Sequence, residues 1–207
     1  MANHIVNQLI ILEVDQARLD QILHAIKYSA TNQKADHAVR FAKDRVGSNS
    51  IDFKKIVPFP HIVTTCCASA QTTAQGIVGI NWDNWRIKHW GTRCNSYQNF
   101  GTGNQIQFTT IVYTPELVIE TLSQLFPDAQ FSHQWADSDN IGFSVGHQIW
   151  QDGVIINRYH PSNCSASAYE QAATLLDINL KDCGFVYDRA LSTYQYDKTQ
   201  DQRISPP

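Results

Sequence analysis

The residues from Trp85 to Tyr97 carry most of the side chains in this sequence that could do chemistry. The string WRIKHWGTRCNSY places two tryptophans, a histidine and three basic residues around one glycine. Tryptophan faces can stack on nucleic-acid bases, and arginine can bind phosphate through two parallel hydrogen bonds. The same residue types also serve as core anchors and as a solvated helix face. We favour the core for Trp82, Trp85 and Trp90, because tryptophan buries a large apolar area.

Six polar or aromatic side chains are candidates for binding. They are His4, Asn7, His89, Arg93, Asn95 and Tyr97. Arg93, Asn95 and Tyr97 alternate along the chain and would share one side of a strand. His4 and His89 could form an acid/base pair, since histidine exchanges protons near neutral pH. No residue is assigned a catalytic role.

Asn7 interrupts an apolar segment, where a buried amide needs a hydrogen-bond partner. Trp85, Trp90, Gly91 and Thr92 are interpreted as a structural motif that supports the candidate residues. Gly91 stands where a helix would end, and glycine favours the left-handed conformation that such an end requires. This interpretation makes the segment structural first and functional second.

The sequence has no recognisable metal-binding or nucleotide-binding signature. Its five cysteines have scattered positions: Cys66, Cys67, Cys94, Cys164 and Cys183. This spacing predicts free thiols and no zinc site. Asp137 and Asp139 lack the spacing of a calcium loop and are interpreted as turn formers. His133 and His147 are interpreted as core or interface histidines. We expect neither a metal nor a cofactor.

The composition describes an ordinary globular protein with few charges. Of 207 residues, 43% are hydrophobic and 17% are charged, and the net charge is −3. The sequence has no excess of basic residues that would attract nucleic acid from a distance. These counts leave open the alternative of a local basic patch. No apolar run approaches the roughly 20 residues that span a membrane, and the first residues lack the pattern of a signal peptide. We therefore expect a cytoplasmic protein without a membrane partner.

Apolar periodicity predicts a sheet whose strands alternate with helices. Residues 5–14 carry apolar side chains on both faces of a period-two pattern, which indicates a central strand. Asp15 can cap the helix that follows, and residues 105–113 alternate as another strand. Thr114 as N-cap and Pro115 at the first helical position mark a second helix. We expect both helices on one face of the sheet and the two strands adjacent at its centre.

Other segments have weaker patterns. Residues 51–60, IDFKKIVPFP, predict a short strand or extended piece that the prolines stop. Residues 35–46 predict a short helix, and residues 92–97 a short strand. His147 and Ile149 lie on the alternating face of a later strand, which the QDG tripeptide turns into VIINRY.

The order of elements predicts an α+β fold. It is a ferredoxin-like β-α-β-β-α-β core with a largely antiparallel sheet, a helical insertion after the first helix, and a C-terminal hairpin plus helix. Residues 1–160 form the predicted ferredoxin-like domain, with the insertion at about 30–80. Residues 161–195 form a C-terminal helical extension, and residues 196–207 a flexible tail.

Several motifs resemble one known family. They are MANHIVNQLIIL, FKKIVPFP, HWGTRCNSY, FTTIVYTPELVIETLSQLFP and IGFSVGHQIW. In this order they resemble the YubB ferredoxin-like domain family, whose members are small proteins of plasmids and bacteriophages. The most specific piece is W-G-T-x-x-N, formed by Trp90, Gly91, Thr92 and Asn95. The resemblance covers roughly residues 1–159 and implies a ferredoxin-like core and a mobile-element origin, but no mechanism.

Two classes of function follow. The first is an uncharacterised plasmid- or phage-type accessory protein, a non-catalytic binding module for a host protein or for a nucleotide or nucleic-acid ligand. The alternative is a small enzyme with His4, His89, Arg93 and Asn95 in a pocket between the first strand and the W-G-T strand. An enzyme needs convergent polar groups in a concave site, whereas a binding module shows an exposed patch. We favour the first; the oligomeric state is left open.

Overall fold

The first apolar run of the chain becomes the central strand of a six-stranded antiparallel sheet. The computed structural model describes residues 3–27, 49–60 and 82–197. Its elements are β1 (His4–Leu12), α1 (Gln16–Ile26), α2 (Phe53–Ile56), α3 (Trp82–Trp90), β2 (Tyr97–Phe100), β3 (Gln105–Ile111), α4 (Glu116–Leu125), β4 (Gln130–Asp137), β5 (Gly146–Gln151), β6 (Val154–Tyr159), α5 (Ala166–Leu176), β7 (Phe185–Asp188) and β8 (Thr193–Tyr196). The sheet order is β2-β3-β1-β4-β5-β6, and β7 and β8 form a separate hairpin.

Strand β1 lies between β3 and β4 and is antiparallel to both. Ile5, Leu9 and Ile11 alternate along it and are almost completely buried. Their face is covered by helices, so these side chains lose their contact with water on folding. The predicted adjacency of the first strand and the strand that begins at Gln105 is confirmed, and so is the central position of β1. Strand β3 is not at the centre as predicted, because it lies next to the edge strand β2.

Helices α1 and α4 pack on the same face of the sheet, as predicted. Ile22 of α1 and Leu122 of α4 belong to one core cluster with Phe108 and Phe131 of the strands. Helix α5 packs against a second, smaller cluster that contains Ala136 of β4 and the partly buried Val6 of β1. Val6 alternates with the residues of β1 that face the first cluster, so α5 covers part of the opposite face.

The helix starts agree only in part with the prediction. Asp15 caps α1, because its Oδ1 accepts a hydrogen bond from the Arg18 backbone N–H at 2.8 Å. The prediction of Thr114 as the cap of α4 is wrong: the helix begins at Glu116, and Pro115 occupies the cap position without a side-chain bond. The Thr114 hydroxyl is thereby left available for a partner in the sheet.

Three local predictions require correction. The predicted strand or extended piece at residues 51–60 contains the short helix α2, which Asp52 caps through the Lys54 backbone N–H. Residues 92–96 form bends and coil, and the strand begins only at Tyr97. The C-terminal extension contains the β7–β8 hairpin as well as α5. The predicted helix at residues 35–46 and most of the flexible tail lie outside the described residues.

No described helix is long and apolar enough to cross a membrane. Cys94, Cys164 and Cys183 are not joined in disulfides, in agreement with the prediction, whereas Cys66 and Cys67 lie outside the described ranges.

Gly91 ends α3 at a place where a side chain has no room. Its φ is +78°, and an added Cβ would lie 3.2 Å from the Thr114 carbonyl oxygen and 3.5 Å from the Glu116 nitrogen. Gly103 offers a contrast, because its φ is +57° and a Cβ there would meet no atom within 4 Å. The two glycines therefore share a strained conformation and differ in crowding.

Gly91→Ala should destabilise the protein more than Gly103→Ala. The left-handed conformation costs an alanine about 1–2 kcal/mol at either position, and crowding adds about 1–3 kcal/mol at Gly91 alone. Urea denaturation of the two variants measures both free energies of unfolding. Equal losses would show that Gly91 is not packed against the start of α4.

Candidate functional site

The aromatic residues of the W-G-T segment are used in packing. Trp90 is completely buried, and its Nε1 donates a hydrogen bond to the Val57 carbonyl at 3.0 Å. Trp85 packs against the same core, and the His89 ring stacks on it with a centroid distance of 4.5 Å. Both tryptophans are core anchors. They therefore do not form a platform on which nucleic-acid bases could stack. Arg93 is exposed.

Asn95 and Thr92 bond to neighbouring parts of the fold. The Asn95 Oδ1 accepts from the Phe53 backbone N–H at 2.9 Å, and its Nδ2 donates to Asp52 at 2.8 Å. The Thr92 hydroxyl donates to the Ile111 carbonyl at 3.0 Å. Because residues 92–96 are not a strand, Arg93, Asn95 and Tyr97 do not share a strand face, and that part of the prediction is wrong.

His4 and Tyr97 do come together, at the start of β1. The His4 Nδ1 lies 2.8 Å from Asp139 Oδ2, and both side chains are about half exposed (48% and 45%). The Tyr97 ring meets the His4 ring edge-on at 6.4 Å, and its hydroxyl is buried without a hydrogen-bond partner. Burial raises the pKa of the Tyr97 hydroxyl above its usual value, with smaller contributions from Cys94 and Asp139. His4 and His89 do not contact each other.

Asp137 is buried and holds the turn that positions Asp139. Its Oδ1 accepts hydrogen bonds from the backbone N–H groups of Asp139 and Asn140, each at 2.9 Å. The predicted role of these aspartates as turn formers agrees with this geometry. Within the described residues, no group of three or more His, Cys, Asp or Glu side chains could hold a metal ion.

Asn7 is the buried polar residue at the centre of the sheet. Its Nδ2 donates to the Ile5 carbonyl at 2.8 Å and to the Thr110 hydroxyl at 3.0 Å. The Thr110 hydroxyl donates in turn to the Tyr113 carbonyl at 2.9 Å, so it must accept from Asn7. With both amide hydrogens used, the Asn7 Oδ1 faces the His133 Nε2 at 3.1 Å and can only accept.

His133 on β4 is therefore a donor at Nε2. A neutral imidazole has one protonated nitrogen, so the His133 Nδ1 must be an acceptor. That atom is buried and has no hydrogen-bond partner among the residues that the structure describes. Burial lowers the pKa of His133 to about 3, with a smaller contribution from His147, and the ring is neutral near neutral pH. The Thr114 hydroxyl lies 3.5 Å from the same Nε2.

Gln148 on β5 lies directly opposite His133 and is almost completely buried. Its Nε2 lies 3.2 Å from the Glu116 Oε1 and 3.3 Å from the His160 Nε2, so both amide hydrogens have acceptors. Its Oε1 is buried, and no described residue donates a hydrogen bond to it. Turning the amide over would place that oxygen against the Glu116 carboxylate, which would repel it.

Asn7, Glu116, His133, Gln148 and His160 together form what we call the polar cluster. Two aromatic contacts flank it: the Trp135 ring lies 5.1 Å from the His133 ring and 5.0 Å, edge-on, from the His160 ring.

Gly146, opposite Trp135 on β5, leaves room for the indole, because an added Cβ would collide with the Trp135 ring. Asn7 is recognisable from the sequence as a candidate, whereas Glu116, Gln148 and His160 are not. No signal along the chain links these positions, which meet only through strand pairing.

The turn between β3 and α4, beside the polar cluster, is strained. Val112 has a φ of +74°, which is rare for a β-branched residue. Its backbone N–H donates to the Asn3 carbonyl at 2.7 Å, and the Thr110 hydroxyl bonds the Tyr113 carbonyl, so the turn is held from two sides. Such strain persists only where surrounding contacts impose it, and it is frequent at functional sites.

Strand β6 forms an exposed edge of the sheet. Val154, Ile156 and Tyr159 are 61%, 51% and 49% exposed. The pairing with β5 shifts register between Ile149 and Trp150, so Ile156 is the extra residue of a bulge. His160 follows the strand directly and belongs to the polar cluster, so the two features are contiguous along the chain.

The match to one family model supports the fold class. Residues 89–179 match the family model described as the ferredoxin-like domain in Api92-like protein. Among solved structures, the chain is similar to the crystal structure of a protein api92 from Yersinia pseudotuberculosis, with 12% sequence identity and a TM-score of 0.39. That similarity covers 54% of this chain and 39% of the other, so it spans about two fifths of the relative. No curated protein matches the sequence.

The predicted α+β class, with a ferredoxin-like domain and a mostly antiparallel sheet, is confirmed at that level. The matched range contains β2 to β6, α4 and α5, and it leaves β1 and α1 outside. The YubB resemblance and the domain boundaries stay predictions.

The burial of His133 predicts a loss of stability in acid. Its pKa is about 3 in the folded protein, whereas an unfolded histidine titrates near about 6.5. Between these values the unfolded chain binds more protons, so stability falls as the pH decreases, by about 2 kcal/mol from about pH 7 to about pH 5. His133→Gln, which keeps a donor for Asn7, should remove most of this change in urea denaturation at the two pH values.

His24→Gln on the exposed side of α1 is the matched control and should leave the acid dependence unchanged. An unaltered acid dependence in His133→Gln would contradict the assignment of a neutral, buried imidazole.

Proposed function

We propose that the protein is a non-catalytic binding module that engages a partner protein through the exposed edge of β6. The observation that supports it most is the combination on this strand of open backbone groups with the exposed side chains of Val154, Ile156 and Tyr159. Native sheets usually protect such edges with charges, prolines or bulges. Strand β6 has one charged residue, Arg158, and one bulge, so its protection is partial.

Side-chain hydrogen bonds tie residues at and next to β2, the opposite edge strand, to Ile51, whereas the side chains of β6 make none within the described residues. The Ile51 backbone N–H donates to the Asn99 Oδ1 at 3.1 Å, and the Ser96 hydroxyl bonds the Ile51 carbonyl beside β2. Within the part of the chain that the structure describes, no loop backbone bonds to residues 154–159. An extended segment of another protein could use these groups for strand addition on either side of the bulge.

A protein partner agrees better with the surface than a nucleic acid does. The net charge of −3 gives no general attraction to phosphate. Trp85 and Trp90 pack in the core, and the Arg86 guanidinium lies over the rings of Phe59 and Trp90, at 5.9 Å from each centroid. The plasmid or phage origin that the sequence resemblance implies is part of this proposal, and it would make the partner a host protein.

A small enzyme remains the second candidate, because one observation favours it. Asp139 holds the exposed His4 ring at 2.8 Å, as a carboxylate does when it orients a general base. Asn95 makes hydrogen bonds within the fold, and His89 stacks on Trp85, so neither converges on His4. The pocket proposed between the first strand and the W-G-T segment therefore lacks two of its four residues.

A photo-crosslinking residue at Ile156 tests the binding proposal in host cells. We expect covalent capture of one host protein at this position. The control is the same residue at Leu191, which is at least as exposed as Ile156 (61% against 51%) but lies in the β7–β8 turn. Val154→Lys should abolish capture while it leaves the free energy of unfolding within about 0.5 kcal/mol, because the side chain is exposed.

Three results would contradict the proposal: adducts formed equally at both positions, an adduct with a second copy of the chain, or an adduct with nucleic acid.

A further inference from the structure

Two buried acceptors in the polar cluster have no donor among the described residues. Within residues 3–27, 49–60 and 82–197, neither the His133 Nδ1 nor the Gln148 Oε1 has a hydrogen-bond partner, and both atoms are buried. They belong to directly opposed residues of β4 and β5, whose side chains share the helix-covered face of the sheet. Cβ atoms of such pairs lie about 4.5–5.5 Å apart, which is close enough for one molecule to reach both.

Neither acceptor can find a partner by rearranging its own side chain. The Asn7 amide fixes the tautomer of His133, because its Oδ1 accepts from Nε2. Glu116 fixes the Gln148 amide, because its carboxylate accepts from Nε2 and would repel the amide oxygen. Leaving a buried acceptor unpaired is unfavourable, and one molecule with two N–H donors could bond both acceptors at once.

The polar cluster also carries a negative charge that no cation of the described chain neutralises. The Glu116 carboxylate accepts one hydrogen bond, from Gln148, and forms no ion pair within the described residues. Arg158, the cross-strand neighbour of Gln148 on β6, is exposed and makes no ion pair or hydrogen bond there either. The cluster therefore offers three acceptors, one of them charged.

We propose that the polar cluster is a binding site for a cationic nitrogen group with several N–H donors, such as a guanidinium or a primary ammonium. One N–H donates to the Gln148 Oε1 and another to the His133 Nδ1, while Glu116 supplies the opposite charge. The Trp135 ring, whose centroid lies 5.1 Å from that of the His133 ring, places an aromatic surface beside the cation.

His160 is the outermost member of the polar cluster and the point of entry. Its side chain is exposed, contacts Gln148 and meets the Trp135 ring edge-on. Because it follows the last residue of β6, its ring can turn outward without breaking a strand pair. Entry of the ligand displaces this ring from Gln148. The site does not depend on partner binding at β6.

The matched probes are methylguanidinium and urea, which present N–H donors in a similar planar shape but differ in charge. Each is titrated at low millimolar concentration into the full-length protein, and NMR follows the His133 ring nitrogens and the Gln148 side-chain amide. We expect saturable shifts of both signals with methylguanidinium and a much weaker response to urea. Glu116→Gln should remove this preference, because it keeps the shape of the side chain and removes its charge.

Gln148→Leu should weaken methylguanidinium binding by about tenfold or more, since it removes a hydrogen bond to a charged group. Gln134→Leu is the control, because Gln134 precedes Trp135 on β4 and points to the opposite face of the sheet. His160→Ala should still bind methylguanidinium, and its association rate should be higher than that of the wild type.

The proposal is overturned by equal responses to both probes, by equal effects of the two glutamine variants, or by signals that report a bound water and do not respond to either probe. The melting temperature of Gln148→Leu must stay near that of the wild type. If it does not, the test of the proposal rests on Glu116→Gln alone, through the ratio of its affinities for methylguanidinium and for urea.

Discussion

The hydrogen bond between Asn7 and His133 is the constraint on which the centre of the sheet depends. It joins β1 to β4, while the other end of the Asn7 amide bonds Thr110 of β3. All three side chains lie on the helix-covered face, where water cannot replace a lost partner. Removing any one of them would leave a buried polar atom unpaired, at a cost of about 1–3 kcal/mol. The hydrogen bonds of the Asn7 amide thus favour one register of β1, β3 and β4 and one tautomer of the His133 ring.

The consequences extend from the sheet centre to the surface. The tautomer makes the His133 Nδ1 an acceptor, and the strand opposite supplies Gln148, whose amide is anchored by Glu116 at the start of α4. Gly91 packs against the same helix start, so the W-G-T segment supports the polar cluster without contributing a binding side chain. His160 then connects this interior to the exposed strand β6.

The sequence predicted those features that local pattern determines. Two-sided apolarity places β1 at the centre, Asp15 caps α1, and Asp152 and Gly153 form the QDG turn with φ values of +48° and +73°. The features that could not be predicted from the sequence depend on hydrogen-bond partners that are distant along the chain. His147 and Ile149 follow an apolar alternation, yet Gln148 and Trp150 face the helices, because Gln148 has polar partners on α4 and after β6. Residues 92–96 leave the strand because Asn95 bonds α2.

The protonation of the His133 ring tests the account most directly. Long-range proton–nitrogen NMR correlations identify which ring nitrogen carries hydrogen and whether both do. We expect a neutral ring protonated at Nε2, with Nδ1 bare, that persists as the pH falls to about 5, well above the lowered pKa of about 3. A ring protonated at Nδ1 at neutral pH would contradict the assignment of Nδ1 as an acceptor and the cation site that depends on it. An imidazolium that forms at about pH 6 would contradict them as well.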